Sequence, residues 1–452
     1  MDIFQIAKTI SKMRIGLPRD THVCSFSDGF GHVCGFWLKY GLRLAGKDAT
    51  RCKDWGWSLG AFGSAPSWKH RQLKDLGEVT LSSEDSRNTS EKQNQIKVSV
   101  TPQLATEEQL SGRERTLTDH QSTTTAMASG GEKIKVLLFG LGAIGGFYAF
   151  VLGKNANVSL SVVARSNYDA IKGDGLTIES DNHGKHKARI DHVFKSPSDA
   201  DFKFDYIVCA HKAIKPASFP PLFKSVADHN TTFVIIQNGV GNEEPFRGIF
   251  PSSTIISCVC WTGATQHTSG IITHSTNERL EMGLYPNPAI ESTVEQKRLD
   301  GFATLLKVGN SPFSIEENIQ IKRWEKVVWN VAWNPLTTLT GLQVQKWLNT
   351  SPEAMSFTRN LMEDVIKVAI RLDVPLKDGL AEELINRVLP MPLIFSSMYV
   401  DAKEGRPLEI DVIVGFPMKK AKEFGMDVPA LTAVYALTNA VNARLEEAQA
   451  SR

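Results

Sequence analysis

The segment Gly140–Gly146 constrains the fold of this chain more than any other part of the sequence. It contains a GxGxxG pattern, placed between the apolar runs Lys135–Phe139 and Phe147–Leu152. Between a strand and a helix, such glycines allow a tight turn, close approach of the backbone to a pyrophosphate, and close helix packing. A glycine turn without a ligand is the alternative. The pattern predicts a dinucleotide-binding turn formed by Gly140, Leu141, Gly142, Ala143, Ile144 and Gly145.

The same region has a second interpretation, as a membrane span. Val136–Gly153 is 18 residues long and carries no charge, which is the short end of the spanning range. Four glycines crowd its middle, where they would weaken one continuous helix. A strand, a turn and a helix explain these residues better, so we expect no membrane segment here.

Further apolar runs have the length and spacing of parallel strands separated by helices. The predicted strands are Val158–Ala164, Asp205–Ala210, Phe233–Gln237, Ile255–Trp261 and Ile271–Ser275. From about residue 315 the apolar periodicity becomes helical, and the predicted helices are Lys322–Leu339, Ser356–Leu372, Leu380–Val388, Glu409–Phe424 and Val428–Ala448. The predicted fold class is α/β: a Rossmann-like parallel-sheet domain at 133–314, followed by an all-helical domain at 315–448.

Residues 1–132 differ in composition from the rest of the chain. Residues 82–132 are rich in Ser, Thr, Gln and charge, and such a segment cannot bury enough apolar surface to offset its chain entropy. We therefore predict that 1–132 is a poorly structured or disordered extension. A chain that begins at Met127 has 326 residues, so a misassigned start is one interpretation. A mitochondrial presequence is the alternative, against which Asp2 and Asp20 count.

Charge and cysteine content exclude other classes of function. With 51 basic and 49 acidic residues the formal charge is +2, so the chain lacks the basic excess typical of nucleic-acid binding. The six cysteines form no CxxC pair, and no cluster has the spacing of metal ligands, so neither a disulfide scaffold nor a metal is expected. We expect a reducing compartment and a cytoplasmic location, with mitochondria as the alternative.

The residues after the second strand indicate which dinucleotide binds. An NAD site usually has an acid about 20 residues beyond the glycine turn, where it binds the ribose. The window Val158–Asn167 contains no acid and ends in Arg165-Ser166-Asn167. A cation and a hydroxyl suit a 2′-phosphate, so NADP is predicted, with a surface arginine as the alternative. Lys212, after the next strand, is a candidate for the cofactor phosphate or ribose, with Lys215 as its competitor.

Polar residues also mark the next strand end and one predicted helix. Asn238 follows the strand Phe233–Gln237 and offers both a donor and an acceptor, although Asn-Gly is also an ordinary turn. Lys326, Asn330 and Asn334 are spaced i, i+4 and i+8, so one helix face carries an ammonium and two amides. These residues predict a substrate site, with a solvated helix face as the alternative.

Hydroxyls and acids follow near the C-terminus. Ser397 belongs to a pair of serines, and Glu409 and Asp411 open a predicted helix, where capping is the alternative role.

The chain from about 133 to 445 resembles the ketopantoate reductase family, also called 2-dehydropantoate 2-reductase. Its motifs fall in family order: the GLGAIGG turn, Arg165, HKA at 211–213, QNGVG at 237–241, WEKVVWNVAWNPLT at 324–337 and SSMYVDAKEGRPLEID at 396–411. The resemblance implies a Rossmann domain followed by a helical domain like that of 6-phosphogluconate dehydrogenases. It also implies NADPH-dependent reduction of ketopantoate to pantoate, on the path to pantothenate and coenzyme A.

Matched by motif, the resemblance implies that Lys326 is the catalytic lysine and Glu409 the active-site glutamate. It assigns substrate or cofactor contacts to Asn330, Asn334, Ser397, Asn238, Arg165 and Lys212. Two departures bear on substrate choice: Val414 stands where the family has Asn, and 258–266 is unlike the expected small polar run. The alternatives are a reductase of another small keto acid and a cofactor-binding sensor without turnover. A homodimer is left open.

Overall fold

The computed structural model describes residues 79–84, 95–100 and 132–451. The first two ranges are strands β1 (Val79–Glu84) and β2 (Gln95–Val100), which pair antiparallel. The sequence predicts no element at either strand. The other residues of the extension up to 131 lie outside the described residues, so the expectation for them stays a prediction.

Residues 132–316 form two sheets. Some of their strands are apolar, and others are short and polar. In chain order these strands are β3 (Ile134–Phe139), β4 (Val158–Val163), β5 (Thr177–Ser180), β6 (Gly184–Lys187), β7 (His192–Phe194), β8 (Tyr206–Cys209), β9 (Thr232–Ile235), β10 (Thr254–Cys260), β11 (Ala264–Thr268), β12 (Ile271–His274), β13 (Leu280–Leu284) and β14 (Phe313–Ile315). The main sheet has eight strands in the order β14-β13-β10-β9-β8-β3-β4-β7. Its pairs are parallel except for β10 with β13.

The helices complete the fold. They are α1 (Ala143–Gly153), α2 (Tyr168–Asp174), α3 (Glu243–Ile249), α4 (Ser292–Val308), α5 (Ile319–Thr340), α6 (Val344–Leu348), α7 (Pro352–Arg371), α8 (Leu380–Val388), α9 (Ser397–Lys403), α10 (Phe416–Glu423) and α11 (Pro429–Ala450). Among the described residues no strand follows β14, and the chain continues as helices α5 to α11, which confirms the predicted fold class. None of the helices in the described ranges combines the length and the apolar content that a membrane crossing needs.

The order of the strands places a topological switch point between β3 and β8. From β3 the chain proceeds outward through β4 to β7, and then returns to β8 on the other side of β3. The direction of winding therefore reverses between β3 and β8, whose carboxyl ends lead into Gly140 and His211. In open parallel sheets this switch point is where ligands bind.

Two details differ from the predicted elements. The segment predicted as the strand Ile271–Ser275 lies in the second, four-stranded sheet, of order β11-β12-β5-β6, which packs on α1 through Ile272 and Gly146. The predicted helix Glu409–Phe424 is wrong at its start, because Asp411–Gly415 forms a π-helical turn and α10 begins only at Phe416.

The loop Gln237–Gly241 after β9 is packed against this π-helical turn. Gly239 and Gly241 have φ values of 85° and 80°. A Cβ on Gly239 would lie 2.4 Å from Val412, and a Cβ on Gly241 would lie 2.1 Å from the ring of Phe416. Only glycine fits both positions, which brings the end of β9 into direct contact with the helical domain.

A buried ion pair lies in the same interface between the sheet domain and the helical domain. Arg323 of α5 and Glu243 of α3 are each 1% exposed, with Nε 3.2 Å from Oε1. The Arg323 guanidinium also donates to the carbonyls of Gly239 (2.7 Å) and Cys258 (3.0 Å). Burial raises the pKa of Glu243, but Arg323 and the Ser257 hydroxyl outweigh it, and the pKa lies below its usual value. The sequence analysis missed this pair, whose members are 80 positions apart.

Candidate active site

The glycine turn has the shape that a dinucleotide requires. Gly140 has φ +100°, and a Cβ there would lie 2.5 Å from the backbone of His211. A Cβ on Gly145 would lie 1.9 Å from the carbonyl oxygen of Gly140. Gly142, in contrast, has no protein atom within 4 Å of its Cβ position. The first and third glycines thus serve the protein's own packing, and the second leaves space for a ligand.

The space beside Gly142 lies at the N-terminus of α1, where an anion can bind. Gly142 is the N-cap of α1, and the first turn of the helix carries no acidic residue. Its backbone N–H groups and the positive end of the helix dipole are therefore available for a phosphate. Leu141 is buried, while Ala143 and Ile144 are half-buried behind it. The turn fits the pyrophosphate of a nicotinamide dinucleotide.

Arg165 lies at the adjacent edge of the turn. It follows β4, its side chain is exposed, and its charge lowers the pKa of the neighbouring His211. Asn167, which the sequence analysis passed over, is buried and donates a 2.7 Å hydrogen bond to the carbonyl of Leu141. Asn167 thereby fixes the end of β4 to the glycine turn and keeps Arg165 beside it.

His211 is packed directly against the glycine turn at Gly140. Its ring packs against Phe139 (4.8 Å between centroids) and Phe219 (4.0 Å). Burial, with a smaller contribution from Arg165, lowers the pKa of His211 to about 3. The ring is therefore neutral near pH 7 and acts in packing rather than as a cation.

Glu409 belongs to the helical domain, and its carboxylate is hydrogen-bonded to loops of the sheet domain across the cleft between the two domains. Its Oε1 accepts the backbone N–H of Ala213 at 3.0 Å, and its Oε2 accepts Nδ2 of Asn238 at 3.3 Å. Lys212 Nζ lies 3.6 Å from the same Oε2. The predicted residues Asn238, Lys212 and Glu409 thus come together, although the sequence places them far apart.

Lys212 has a second and closer partner, which the sequence analysis did not identify. Its ammonium lies 2.6 Å from Asp401 Oδ2 on α9, and Asp401 Oδ1 accepts Nε of Arg406 at 2.9 Å. Loss of water on burial lowers the pKa of Lys212, but the charges of Glu409 and Asp401 outweigh this effect, and the net pKa is raised. The half-exposed Lys212 therefore lies where the loop after β8 meets the helical domain, and its role as a contact of the cofactor phosphate or ribose stays a prediction.

Lys326 lies at the carboxyl end of β10. Its Nζ donates to the carbonyl of Cys260 and lies 5.0 Å above the ring of Trp261. Loss of water lowers the pKa of Lys326 and Arg323 lowers it further, while Cys260 and Glu409 raise it; the net pKa is below its usual value. A lysine with a depressed pKa gives up its proton more readily than an exposed one.

The two asparagines that are predicted to bind the substrate lie on the same helix as Lys326, α5. Asn330 and Asn334 are buried at 7% and 5% exposure, and neither side-chain amide bonds to another residue of the described ranges. Ser397 is exposed at the start of α9, whereas its neighbour Ser396 caps that helix and lies 2.7 Å from the Thr337 hydroxyl. The two serines therefore differ: Ser396 is structural, and the hydroxyl of Ser397 is free to bind a ligand.

Within residues 132–451 no group of three or more His, Cys, Asp or Glu side chains is arranged to hold a metal ion. The groups gathered in the cleft are the ammonium groups of Lys212 and Lys326, the carboxylates of Glu409 and Asp401, free amides and a hydroxyl. Such a set can bind and protonate a small polar substrate.

Comparisons with known proteins match both parts of the chain. The family model "Ketopantoate reductase PanE/ApbA" matches residues 136–287, and the model of its C-terminal part matches 318–442. A crystal structure of 2-dehydropantoate 2-reductase from Methylococcus capsulatus is 31% identical, with a TM-score of 0.62, covering 69% of this chain and 98% of that one. A 2-dehydropantoate 2-reductase from a Nostoc strain is 26% identical, covering 67% of this chain and 93% of that protein.

A structure of a dimeric ketopantoate reductase from Staphylococcus aureus shares the fold, with 22% identity and a TM-score of 0.56, over 69% of this chain and all of that one. Together the fold and the cleft define an oxidoreductase of the nicotinamide-dependent class. The chain belongs to the ketopantoate reductase family.

Proposed function

We propose that this protein reduces a 2-keto acid with NADPH, and that 2-dehydropantoate is its substrate. The observation that carries the proposal is the position of Lys326: an ammonium of lowered pKa, beside free amides, at the carboxyl edge of a dinucleotide-binding sheet. The names of the relatives support 2-dehydropantoate as the keto acid.

The chain's own part in the reaction is to hold the keto acid and supply a proton. When bound, the nicotinamide supplies the hydride that reduces the 2-keto carbon. Negative charge then grows on the carbonyl oxygen, and Lys326 stabilises it and donates the proton. Because the Lys326 amine is bonded to a backbone carbonyl rather than to a carboxylate, its other N–H groups are available to the substrate.

The remaining polar groups orient the substrate. Asn330, Asn334 and Ser397 present amides and a hydroxyl that suit a carboxylate and a hydroxyl group. Glu409, held by Ala213 and Asn238, accepts a hydrogen bond from a substrate hydroxyl.

The choice of NADPH rests on Arg165 and on the missing acid after β4. The exposed Arg165 follows β4 two residues before Asn167, which bonds the glycine turn, and a 2′-phosphate bound there would provide its counter-charge. Residues 133–314 then form the cofactor domain, and 315–448 carry catalysis.

One observation favours a second candidate, a different 2-keto acid. Trp261, in the segment that departs from the family pattern, lies directly beside Lys326. A bulky ring there changes the shape of the substrate site while leaving the proton donor in place.

The test is NADPH oxidation by the purified full chain with 2-dehydropantoate, with pantoate identified as the product by mass spectrometry. Lys326→Ala is the matched control, because it removes the ammonium while leaving the glycine turn intact. Reduction by wild type and its loss in the control support the proposal. NADPH binding without turnover of any 2-keto acid contradicts it and favours the sensor.

A further inference from the structure

The two departures from the family pattern lie in different surroundings. Val414 is fully buried, at 0% exposure, in the core of the helical domain, so it does not contact a ligand. Trp261 follows Cys260, whose carbonyl binds Lys326, and its ring lies beside the Lys326 ammonium. Of the two departures, Trp261 is therefore the one that can alter which keto acid is accepted.

The Trp261 side chain is held in a defined position. Its indole N–H donates to Glu281 Oε2 at 3.0 Å, and its backbone N–H donates to the carbonyl of Arg279 at 2.8 Å. Since both contacts are to β13 and the residue before it, the ring is fixed to the sheet. It forms a rigid wall beside the Lys326 ammonium.

Arg387 of α8 lies against this wall. Its guanidinium carbon is 5.3 Å from the ring centroid of Trp261 and 5.3 Å from that of Trp329. The side chain is exposed, and among the described residues it has no carboxylate partner and no hydrogen bond. Two indoles therefore hold a cation whose N–H donors are all available.

This arrangement is suited to a carboxylate. Contact with aromatic rings stabilises a guanidinium without using its in-plane donors, which match both oxygens of a carboxylate. The Lys326 ammonium and the Arg387 guanidinium lie 5.0 and 5.3 Å from the same ring centroid, so they are at most about 10 Å apart. A short carbon chain with a hydrogen bond of about 3 Å at each end spans such a gap.

We propose that Arg387, held by Trp261 and Trp329, is a specificity-determining residue that binds a distal carboxylate of the substrate. The site then prefers a 2-keto acid with a second acidic group over an uncharged 2-keto acid of the same length. This inference rests on the proposed reduction of a 2-keto acid with Lys326 as the proton donor, and it favours the second candidate substrate, since 2-dehydropantoate carries a hydroxyl and no distal carboxylate.

The experiment compares 2-oxoglutarate with 2-oxopentanoate, which have the same number of carbons and differ in the distal carboxylate. Wild type should show the higher kcat/KM with 2-oxoglutarate. Arg387→Gln should lower that value by about 10- to 100-fold, the range of one charge-assisted hydrogen bond, and leave 2-oxopentanoate unchanged. The matched control is Arg371→Gln, because Arg371 also lies over an aromatic ring, that of Phe424 at 4.6 Å, but not over Trp261.

Equal kcat/KM for the two acids in wild type, or an equal loss for both in Arg387→Gln, overturns the inference while 2-keto acid reduction itself stands. If no 2-keto acid is reduced, calorimetric titration of both acids into the NADP⁺-loaded protein separates the two proposals. Tighter binding of 2-oxoglutarate that is lost in Arg387→Gln supports the carboxylate site even though the proposed function has failed. Equal binding of both acids refutes the carboxylate site as well.

Discussion

The Lys212 ammonium lies 2.6 Å from the Asp401 carboxylate, and this contact joins the loop after β8 to helix α9. His211, the residue before Lys212, packs on Gly140, and Ala213, the residue after it, bonds Glu409. Three consecutive residues thus connect the glycine turn to the Asp401 and Glu409 carboxylates of the helical domain. A change at Asp401 should therefore be felt at the cofactor and at the substrate.

We expect Asp401→Asn to lower kcat/KM by about tenfold, which corresponds to about 1.4 kcal/mol of transition-state stabilisation. The amide keeps the shape of the side chain but removes the charge that holds Lys212 and Arg406. Glu404→Gln is the control, because Glu404 also pairs with Arg406 but is 46% exposed. Steady-state kinetics on both variants measures the difference. A lower melting temperature with wild-type kinetics would limit Asp401 to a structural role.

The first and second glycines of the turn provide a matched pair with different expected effects. Gly140→Ala should destabilise the fold by about 1–3 kcal/mol, because it forces a strained backbone conformation against His211. Gly142→Ala should leave the melting temperature close to wild type, since its Cβ meets no protein atom, yet should weaken NADPH binding. Thermal unfolding and NADPH titration check both. Unchanged NADPH affinity in Gly142→Ala would show that no ligand occupies that space.

Arg165 decides between the two nicotinamide cofactors. We expect Arg165→Ala to raise the dissociation constant of NADPH by about 10- to 100-fold, the range of a lost charge-assisted hydrogen bond. NADH, which lacks the 2′-phosphate, should bind as before. Fluorescence titration with both cofactors makes the comparison. An equal loss for both would remove Arg165 from phosphate recognition.

Lys326 is the proposed proton donor, so Lys326→Ala should lower kcat by about 10²–10⁴-fold, the usual range for general acid catalysis. Lys326→Arg keeps the charge but donates a proton poorly, and should remain strongly impaired. NADPH affinity should change little in either variant, because the glycine turn is untouched. Near-wild-type kcat in Lys326→Ala would remove Lys326 from the mechanism.

The same lysine predicts the pH dependence of the reaction. Burial and Arg323 lower the pKa of Lys326, and a general acid must be protonated to act. The rate of reduction should therefore be highest below this pKa and should fall as the pH rises through it, at a lower pH than for an exposed lysine. A pH profile of kcat/KM measures this limb. A profile that stays flat up to the ordinary lysine range would contradict it.

The sequence predicted the parts of the fold that are determined by residues close together along the chain. The glycine turn, the apolar strands and the i, i+4, i+8 spacing of Lys326, Asn330 and Asn334 each follow from neighbours along the chain. The four residues of β6, Gly184–Lys187, are all exposed and include no large apolar side chain, so no apolar alternation marked this strand. The π-helical turn after Glu409 was likewise invisible, because its residues are as apolar as those of an α-helix.

The site was harder to predict because its members meet only in three dimensions. Asp401 and Arg323 are charged residues on helices, which in sequence look like solvated positions; in the structure they are 3% and 1% exposed. Their partners lie on other elements, at Lys212 and Glu243. The motif analysis found Lys212 but could not show that a carboxylate from another domain holds it. The roles of the site residues, the cytoplasmic location and a homodimer stay predictions.

The contact of Gly239 and Gly241 with Val412 and Phe416 has an evolutionary consequence. The two domains cannot be exchanged independently between relatives, since a sheet domain with any larger residue at either glycine would collide with this helical domain. Recombination within the family should therefore preserve the loop and the π-helical turn as one inherited unit. New substrate preferences are then expected to arise around Trp261 and Arg387. Side chains can change there without separating the two domains.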